Sequence, residues 1–383
     1  MQIRRIFLFS LIVGALSMVP ESALAKTNFV EKILTKYNVV TLKDGSQYKG
    51  EMMLTRPHGR GKMTYPDGSV YHGQFDSGRR HGKGTMTYAN GEKYEGEWEK
   101  GVRQGRGIYY YPNGNRFEGD FVKDEMKGFG IMYYANGDTY TGLWEKSMRH
   151  GMGVYIWIYD GSNYNGEWKN GRKHGRGRMF WLDGTNYDGS WENDMRHGKG
   201  TFCYSNGDKY VGQWKHNLQH GKGEYHFVDG DVYVGEYANG VRSGHGTYTR
   251  ADGSVYVGEY KNGEIEGRGR YEMTSGEVYD GEWVQNRRHG YGTCYWPNGD
   301  VYEGEWADNF PHGTGRMTLS DGTEYEGEYK NGLRNGCGKL TRPDGTSIEG
   351  TFTDDLCNGT FKEYDSKGKL VRTVHYFNGK KKK

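Results

Sequence analysis

YHGQFDSGRRHGKGTMTYANG, residues 71–91, holds two short strand-like runs separated by turn residues. Tyr71, Gly73 and Phe75 alternate on one side of the first run, and Gly82, Gly84, Met86 and Tyr88 on one side of the second. Alternation of period two is the mark of β-strands. The same sentence is written fourteen times, led by Tyr48, Tyr71, Tyr94, Phe117, Tyr140, Tyr164, Tyr187, Tyr210, Tyr233, Tyr256, Tyr279, Tyr302, Tyr325 and Ile348. The step is 23 residues, except for 24 between Tyr140 and Tyr164. A fixed period of this size predicts stacked units that touch mainly their neighbours, which replaces the usual expectation of two or three globular domains for 383 residues.

Turn chemistry sets the register. Asn-Gly or Asp-Gly follows the second run of most copies, as at Asn90-Gly91, and Pro66, Pro112, Pro297 and Pro343 stand just before the pair. Proline holds φ near −65°, which suits a type I turn and excludes a type I′ turn there. The reading is a three-residue loop closed by a left-handed Gly and a G1 bulge. Met86 then faces Tyr94, Gly84 faces Gly96 and Gly82 faces Trp98, so that each large ring lies over bare backbone. The inner loop carries Gly78, Gly101, Gly171, Gly240, Gly263 and Gly332, or Asp124, Asp194, Asp355, Asn217, Asn286, Asn309, Ser147 or Thr55. One left-handed residue is predicted at that site. The extra residue of the longer copy falls between Gly153 and Gly161 and predicts a bulge or longer turn near Trp157. The fold class is all-β: an elongated, single-layer antiparallel meander of stacked hairpins, a twisted rod with an aromatic trough on one face.

The ends differ from the repeat. Residues 1–25 read as a secretory signal: Arg4 and Arg5, an apolar run from Ile6 to Met18, and Ala23-Leu24-Ala25 before Lys26. An uncleaved anchor is the alternative, although the run is short for a bilayer. Residues 26–43 predict a helical cap, with Asn28 and Glu31 at capping-box spacing before Phe29, Val30, Ile33 and Leu34. Residues 44–358 form the array. Residues 359–383 predict a hairpin, Phe361 to Tyr364 against Leu370 to Val374, and a basic disordered tail at Lys380 to Lys383. Export permits disulfides, and of the four cysteines only Cys337 and Cys357 lie in adjacent repeats, which makes them the disulfide candidates.

Tyr-x-Gly-x-Trp, Gly-x-Gly and Asn-Gly together resemble the MORN-repeat family (membrane occupation and recognition nexus) over residues 48–358, and the C-terminal hairpin resembles its short bacterial variant. The resemblance implies hairpins in an extended, twisted sheet that serves as a scaffold, dimerises, binds proteins in its groove or sits at membranes. The kinase and methyltransferase domains of some members have no counterpart in these residues, so it implies no enzyme and no cofactor.

The composition agrees with a binding role. The net charge of +3 is too small to argue for nucleic acid. No Ser-His-Asp signature, phosphate loop or C-x-x-C pair occurs, and no small-molecule substrate is expected. Copies of the recurring histidine, among them His81 and His174, would lie about 9–10 Å apart, too far to share a metal ion. The recurring glutamate, as at Glu97 and Glu167, reads as surface ion pairing. Trp98, Trp168, Trp191 and Trp214 are the candidate anchors for a protein partner, either an amphipathic helix or a second copy of the rod. Arg79, Arg80, Arg172, Lys173, Arg287 and Arg288 recur at one sheet edge and are candidates for contact with an anionic membrane. The expected location is the periplasm or outside in a bacterium, and the secretory path in a eukaryote, where Asn358-Gly359-Thr360 would accept a glycan.

Overall fold

The computed structural model describes residues 39–382. The signal segment and the helix expected from Asn28 to Leu34 lie outside them. Every regular element in the described residues is a strand. The chain forms two compact units, the first ending at Leu182 and the second beginning at Asp183. Each is an open, single-layer antiparallel meander.

In the first unit, Val39–Thr41 pairs with Gln47–Met53, so the last residues assigned to the cap are strand and turn. Seven-residue and nine-residue strands then alternate, as in Val70–Asp76 and Arg79–Thr87. The second unit continues from Asn186–Glu192 to Ser347–Thr353 on the same plan. Gly359–Tyr364 then pairs with Leu370–Phe377. Lys380 and Lys381, expected to be disordered, pair with Phe377 and Tyr376.

The register is the one that turn chemistry predicts: Met86 faces Tyr94, Gly84 faces Gly96 and Gly82 faces Trp98. The Gly91 N–H donates to the Tyr88 carbonyl at 3.0 Å and the Tyr88 N–H to the Glu92 carbonyl at 2.9 Å, which closes the three-residue loop. Gly91 has φ of 87°. In the longer copy the Trp157 N–H reaches one residue further, to the Ser162 carbonyl at 2.9 Å, and the register recovers at Tyr155 opposite Tyr164.

The inner loop differs from expectation. It holds two left-handed residues rather than one, such as Lys100 (φ 51°) before Gly101 (φ 94°) and His216 (50°) before Asn217 (70°). Two consecutive positive φ values make a type I′ turn, whose twist matches the flanking strands. In the first copy only Leu54 is left-handed (58°), and the β-branched Thr55 is not. The first Gly of Gly-x-Gly is also left-handed, with Gly82 at 58°, and the ladder slips there, between Gly73 and Gln74 on the facing strand. The alternation in the sequence describes plain strand at this place, not the bulge that recurs there. The bulged strand advances three residues, from Gly84 to His81, while the facing strand advances one, so two residues are added and Arg80 and Met86 stay on the same face.

Candidate interaction surface

One face of the sheet is closed by rings. The ring of each lead tyrosine lies over two glycines, and a Cβ at Gly84 would collide with the hydroxyl end of the Tyr71 ring. The hydroxyl donates to the carbonyl three residues on, as from Tyr94 to Glu97 at 3.0 Å. Burial pushes the Tyr233 and Tyr325 hydroxyls up to about 12, so they stay protonated donors. The ring that follows stands edge-on to two lead rings: Trp98 lies 5.1 Å from Tyr94 and 5.4 Å from Tyr71. Edge-to-face contact suits the ring quadrupoles. The contacts join neighbouring copies within each unit, as in Tyr187 to Trp214 to Tyr210 to Tyr237.

The four candidate anchors belong to this layer and are not free to receive a partner. Trp98 is 3% exposed, and Trp168, Trp191 and Trp214 are each 4% exposed. The indole N–H groups of Trp98, Trp168 and Trp214 donate to the Gly84, Gly153 and Gly200 carbonyls at 3.1–3.3 Å. Ring size suggested hot spots, but these rings are taken up in covering a sheet that has no second layer among the described residues.

The basic loop residues divide in two. Arg79, Arg172 and Arg287 are exposed, although Arg287 pairs with Asp308 at 2.9 Å. Arg80, Lys173 and Arg288 turn toward the rings. The Arg80 guanidinium lies 4.3 Å from the Trp98 ring centre and donates to the Gly101 carbonyl at 2.6 Å. Arg288 stacks near Trp306 and Tyr279 and pairs with Glu277. Lys173 lies 5.6 Å from the Tyr164 ring. Arg149 and Arg196 repeat the Arg80 pattern on Trp168 and Trp214. The cations bind each copy to the next by stacking and by a charge-assisted hydrogen bond.

Sequence reasoning misjudged one other polar position and missed a second. The recurring carboxylate receives a backbone N–H left over by the bulge: Glu167 accepts from Arg176 at 2.9 Å, Glu305 from Thr314 at 3.0 Å and Glu328 from Cys337 at 3.0 Å. Gln74 does the same for Lys83 at 2.8 Å. It is a backbone acceptor rather than a surface ion-pair partner. The second position is the residue after the turn's Gly, which in several copies bonds to the next copy's turn. Asp138 accepts from the Ile158 N–H at 3.0 Å and Tyr155 at 2.9 Å, and Asp208 from Val228 and Tyr225, both at 2.8 Å. For Asp208 the Asn206 amide comes first among the bonds that hold its carboxyl below the usual range. A short polar residue at this position in copy after copy was the available signal.

The cysteines are all free. Cys337 faces Thr351 on the open side, whereas Cys357 faces Phe352 on the ring side. The sheet stands between them, which rules out the expected bridge. Burial, with Arg288 opposing and Glu277 adding, pushes the Cys294 thiol up to about 12, so it is no nucleophile near neutral pH. His58, His150 and His197 lie within 3.4–3.6 Å of Asp76, Glu145 and Glu192. No group of three or more His, Cys, Asp or Glu among the described residues is placed to hold a metal ion. No helix among them is long and apolar enough to cross a membrane.

The open face is the side whose chemistry changes along the chain. Its central rows carry the middle residue of Gly-x-Gly and its neighbours. A trough of about 640 Å³ lies there in the first unit, lined by Lys83, Glu95, Arg106, Glu118, Phe129 and Ile131 among others. Another of about 780 Å³ lies in the second unit, lined by Tyr291, Glu303, Arg316, Glu326, Lys339 and Glu349.

The model of the MORN repeat matches thirteen consecutive segments, from 48–70 to 325–347, with the fifth cut to 140–158 before the extra turn residue. The copy led by Ile348 is not among them, although its strand keeps the register, with Gly350 opposite Gly338. A search of curated proteins finds no significant match. Among solved structures, the chain is similar to the Drosophila melanogaster SAS-4 TCP domain, solved with a proline-rich motif of Ana2. The identity is 14% over 41% of this chain and 85% of that one, with a TM-score of 0.27. The Danio rerio CPAP TCP10 domain, solved with a STIL peptide, shows 12% identity over 71% and 94%, with a TM-score of 0.18. A streptogramin B lyase shows 16% over 80% and 95%, with a TM-score of 0.13. At such scores these likenesses carry no argument about function.

Proposed function

Because the chain belongs to the MORN-repeat family, we propose that it is a non-catalytic, exported scaffold that holds a partner protein on the open face of its sheet. The observation that carries this reading is the contrast between the faces. The ring side is filled by its own tyrosines, tryptophans and stacked cations, while the open side keeps troughs whose lining varies. The partner-binding groove is therefore assigned to the side opposite the aromatic trough expected from sequence. Photo-crosslinkers at Phe129 on the open face and at exposed Arg79 on the loop edge test it in the protein's own cell. Protein adducts from position 129 are expected; adducts only from position 79 would overturn the assignment. Export is tested by N-terminal sequencing of the mature protein, with Lys26 expected first and an intact Met1 contradicting it.

A second reading, peripheral attachment to anionic lipid, draws on Arg79, Arg172 and Arg287, whose side chains remain exposed. Basic residues near such a surface contribute about 1 kcal/mol each. Salt-sensitive sedimentation with phosphatidylserine vesicles, lost on replacing the three by Ser, would support it. Sedimentation unaffected by salt or by the replacements would exclude it.

A further inference from the structure

At one joint of the second unit the open face keeps its cations and loses its carboxylates. His197 and Lys199 come from the strand Met195–Cys203, Gln213 and Lys215 from Lys209–Lys215, and His220 from Leu218–His226. Lys199 faces Gln213 on one side, and His220 faces it on the other. These residues line a recess of about 380 Å³. Arg60, Lys83, Arg106, Arg176, Lys222 and Arg268 stand at the place of Lys199 in other copies. Each of them has Asp or Glu in the next copy, at the place of Gln213 or of Lys215. On the strand before Lys199, Ser190 also takes the place of the recurring glutamate. No carboxylate among the described residues pairs with Lys199 or Lys215. The acids around the recess are engaged: Glu192 lies 3.4 Å from His197, Asp188 has a partner, and Glu236 faces Lys222. The pairing with Glu192 leaves His197 out of the count of free donors. The Gln213 amide N–H groups and the His220 ring have no hydrogen-bond partner among the described residues.

We propose that this recess seats a phosphomonoester carried by the partner protein, such as a phosphorylated serine; the proposal rests on the scaffold reading and names the chemistry of one contact. Two ammonium groups, an amide and an imidazole from three strands stand around the recess without an acceptor. A carboxylate brings one charge and two oxygens, which answers one lysine and leaves the other. A phosphomonoester brings about −1.5 to −2 charge near neutral pH and three terminal oxygens, enough for both lysines and the neutral donors together. The recess lies on one face of a single layer, whereas small-molecule sites are concave and bury most of their ligand. It can hold an anionic group whose remainder lies outside along the face. That is the position of a modified side chain on a docked protein.

The test uses the full mature chain and a short fluorescent peptide with one central phosphoserine, beside the same peptide with Ser or Glu in its place. The phosphoserine peptide is expected to bind saturably and at least about tenfold more tightly than either. Gln213→Glu, which copies Glu236, and Lys199→Thr, which copies Thr314, should each weaken it at least about tenfold. Lys83→Thr makes the same change of charge at the same place in another copy, where Glu97 stands opposite, and should leave the affinity within about twofold. Each replacement puts in a residue that the array already holds at that place, and matched far-UV circular dichroism checks the fold. Equal losses in all three variants would reduce the binding to net charge and overturn the proposal. No preference for phosphoserine, or unchanged affinity in Gln213→Glu, overturns it as well. Sedimentation with phosphatidic acid vesicles that Gln213→Glu abolishes, whatever the peptide does, would give the recess to a membrane instead. If crosslinking from position 129 yields no protein, the scaffold reading fails and takes the partner with it. If it yields protein while Gln213→Glu still holds the phosphopeptide, only the phosphate seat fails.

Discussion

Residues 125–156 and residues 310–341 are built from the same repeat and present opposite surfaces. On the ring side they match position for position: Met132, Tyr140, Trp144 and Tyr155 against Met317, Tyr325, Tyr329 and Leu340. On the open side the first shows Phe129, Ile131, Leu143 and Met152 where the second shows Thr314, Arg316, Glu328 and Cys337. The ring side must cover glycine backbone in strands over which no second layer lies among the described residues, so its chemistry is dictated by folding. The open side meets no such demand, and differences there are free to follow whatever the protein binds.

That separation can be broken or sharpened by substitution, with local stability read by hydrogen exchange, since arrays open in segments. The largest effect is expected from Trp144→Ala and Tyr329→Ala. Each should cost about 3–5 kcal/mol through the lost ring and the cavity left behind, and by similar amounts in the two regions. A cost under about 1 kcal/mol in either would mean that the ring layer is not common to both. Next, Gly153→Ala and Gly338→Ala put a methyl group against the Tyr140 and Tyr325 rings and should cost about 1–3 kcal/mol. Wild-type protection at both glycines would show that the rings can give way.

A smaller asymmetry is expected at the bulge. Glu328→Ala strands the Cys337 N–H and should cost about 1 kcal/mol, while Glu328→Gln, which copies Gln74, should be near neutral. Equal losses for Ala and Gln would point to charge rather than acceptance. The turn of the first region adds an acid dependence. Burial alone would raise the Asp138 carboxyl, but bonds from the Ile158 N–H, Asn136 and Tyr155 together outweigh it and hold the carboxyl below its usual range. A depressed folded pKa contributes stability above the unfolded value of about 3.9, and that contribution is lost as pH falls through the folded value. Asp138→Asn should therefore lower local stability near neutral pH and converge with wild type in acid. Parallel pH curves would count against the linkage. The smallest effect is expected outward: Phe129→Lys and Arg316→Ala should each change stability by less than ~0.5 kcal/mol. A large loss at either would place it in the core.

What was legible in the sequence was what neighbouring residues decide. Proline before Asn-Gly named the turn, the turn named the register, and the register placed Met86, Gly84 and Gly82 opposite their observed partners. What escaped notice depended on three-dimensional neighbours. Lys100 and His216 give no hint of left-handed backbone, which the type I′ loop imposes on them. The Gly82 bulge hides inside a pattern that reads as alternation. Trp98 read as an anchor for a partner and Arg80 as a membrane contact, whereas each lies against the other. Cys337 and Cys357 are near in sequence, yet facing is set by strand parity, which brings them to opposite sides.

The polar residue after Asn-Gly has a consequence for the length of such a chain. Asp208 binds the turn of the copy after it, as Asp231 binds Ala251 and Asp300 binds Ser320. A joint closed in this way carries its fastening on one side and its receptor on the other, like links in a chain rather than stones in an arch. Excising residues 279–301 would join Val278 to Tyr302 and bring Glu277 to the turn that Asp300 fastens, since Glu277 and Asp300 occupy equivalent positions in their copies. The new joint would close only if Glu277 reached the Ser320 N–H, a bond it has no occasion to make where it stands, because Pro297 occupies the equivalent place in its own joint and has no N–H to give.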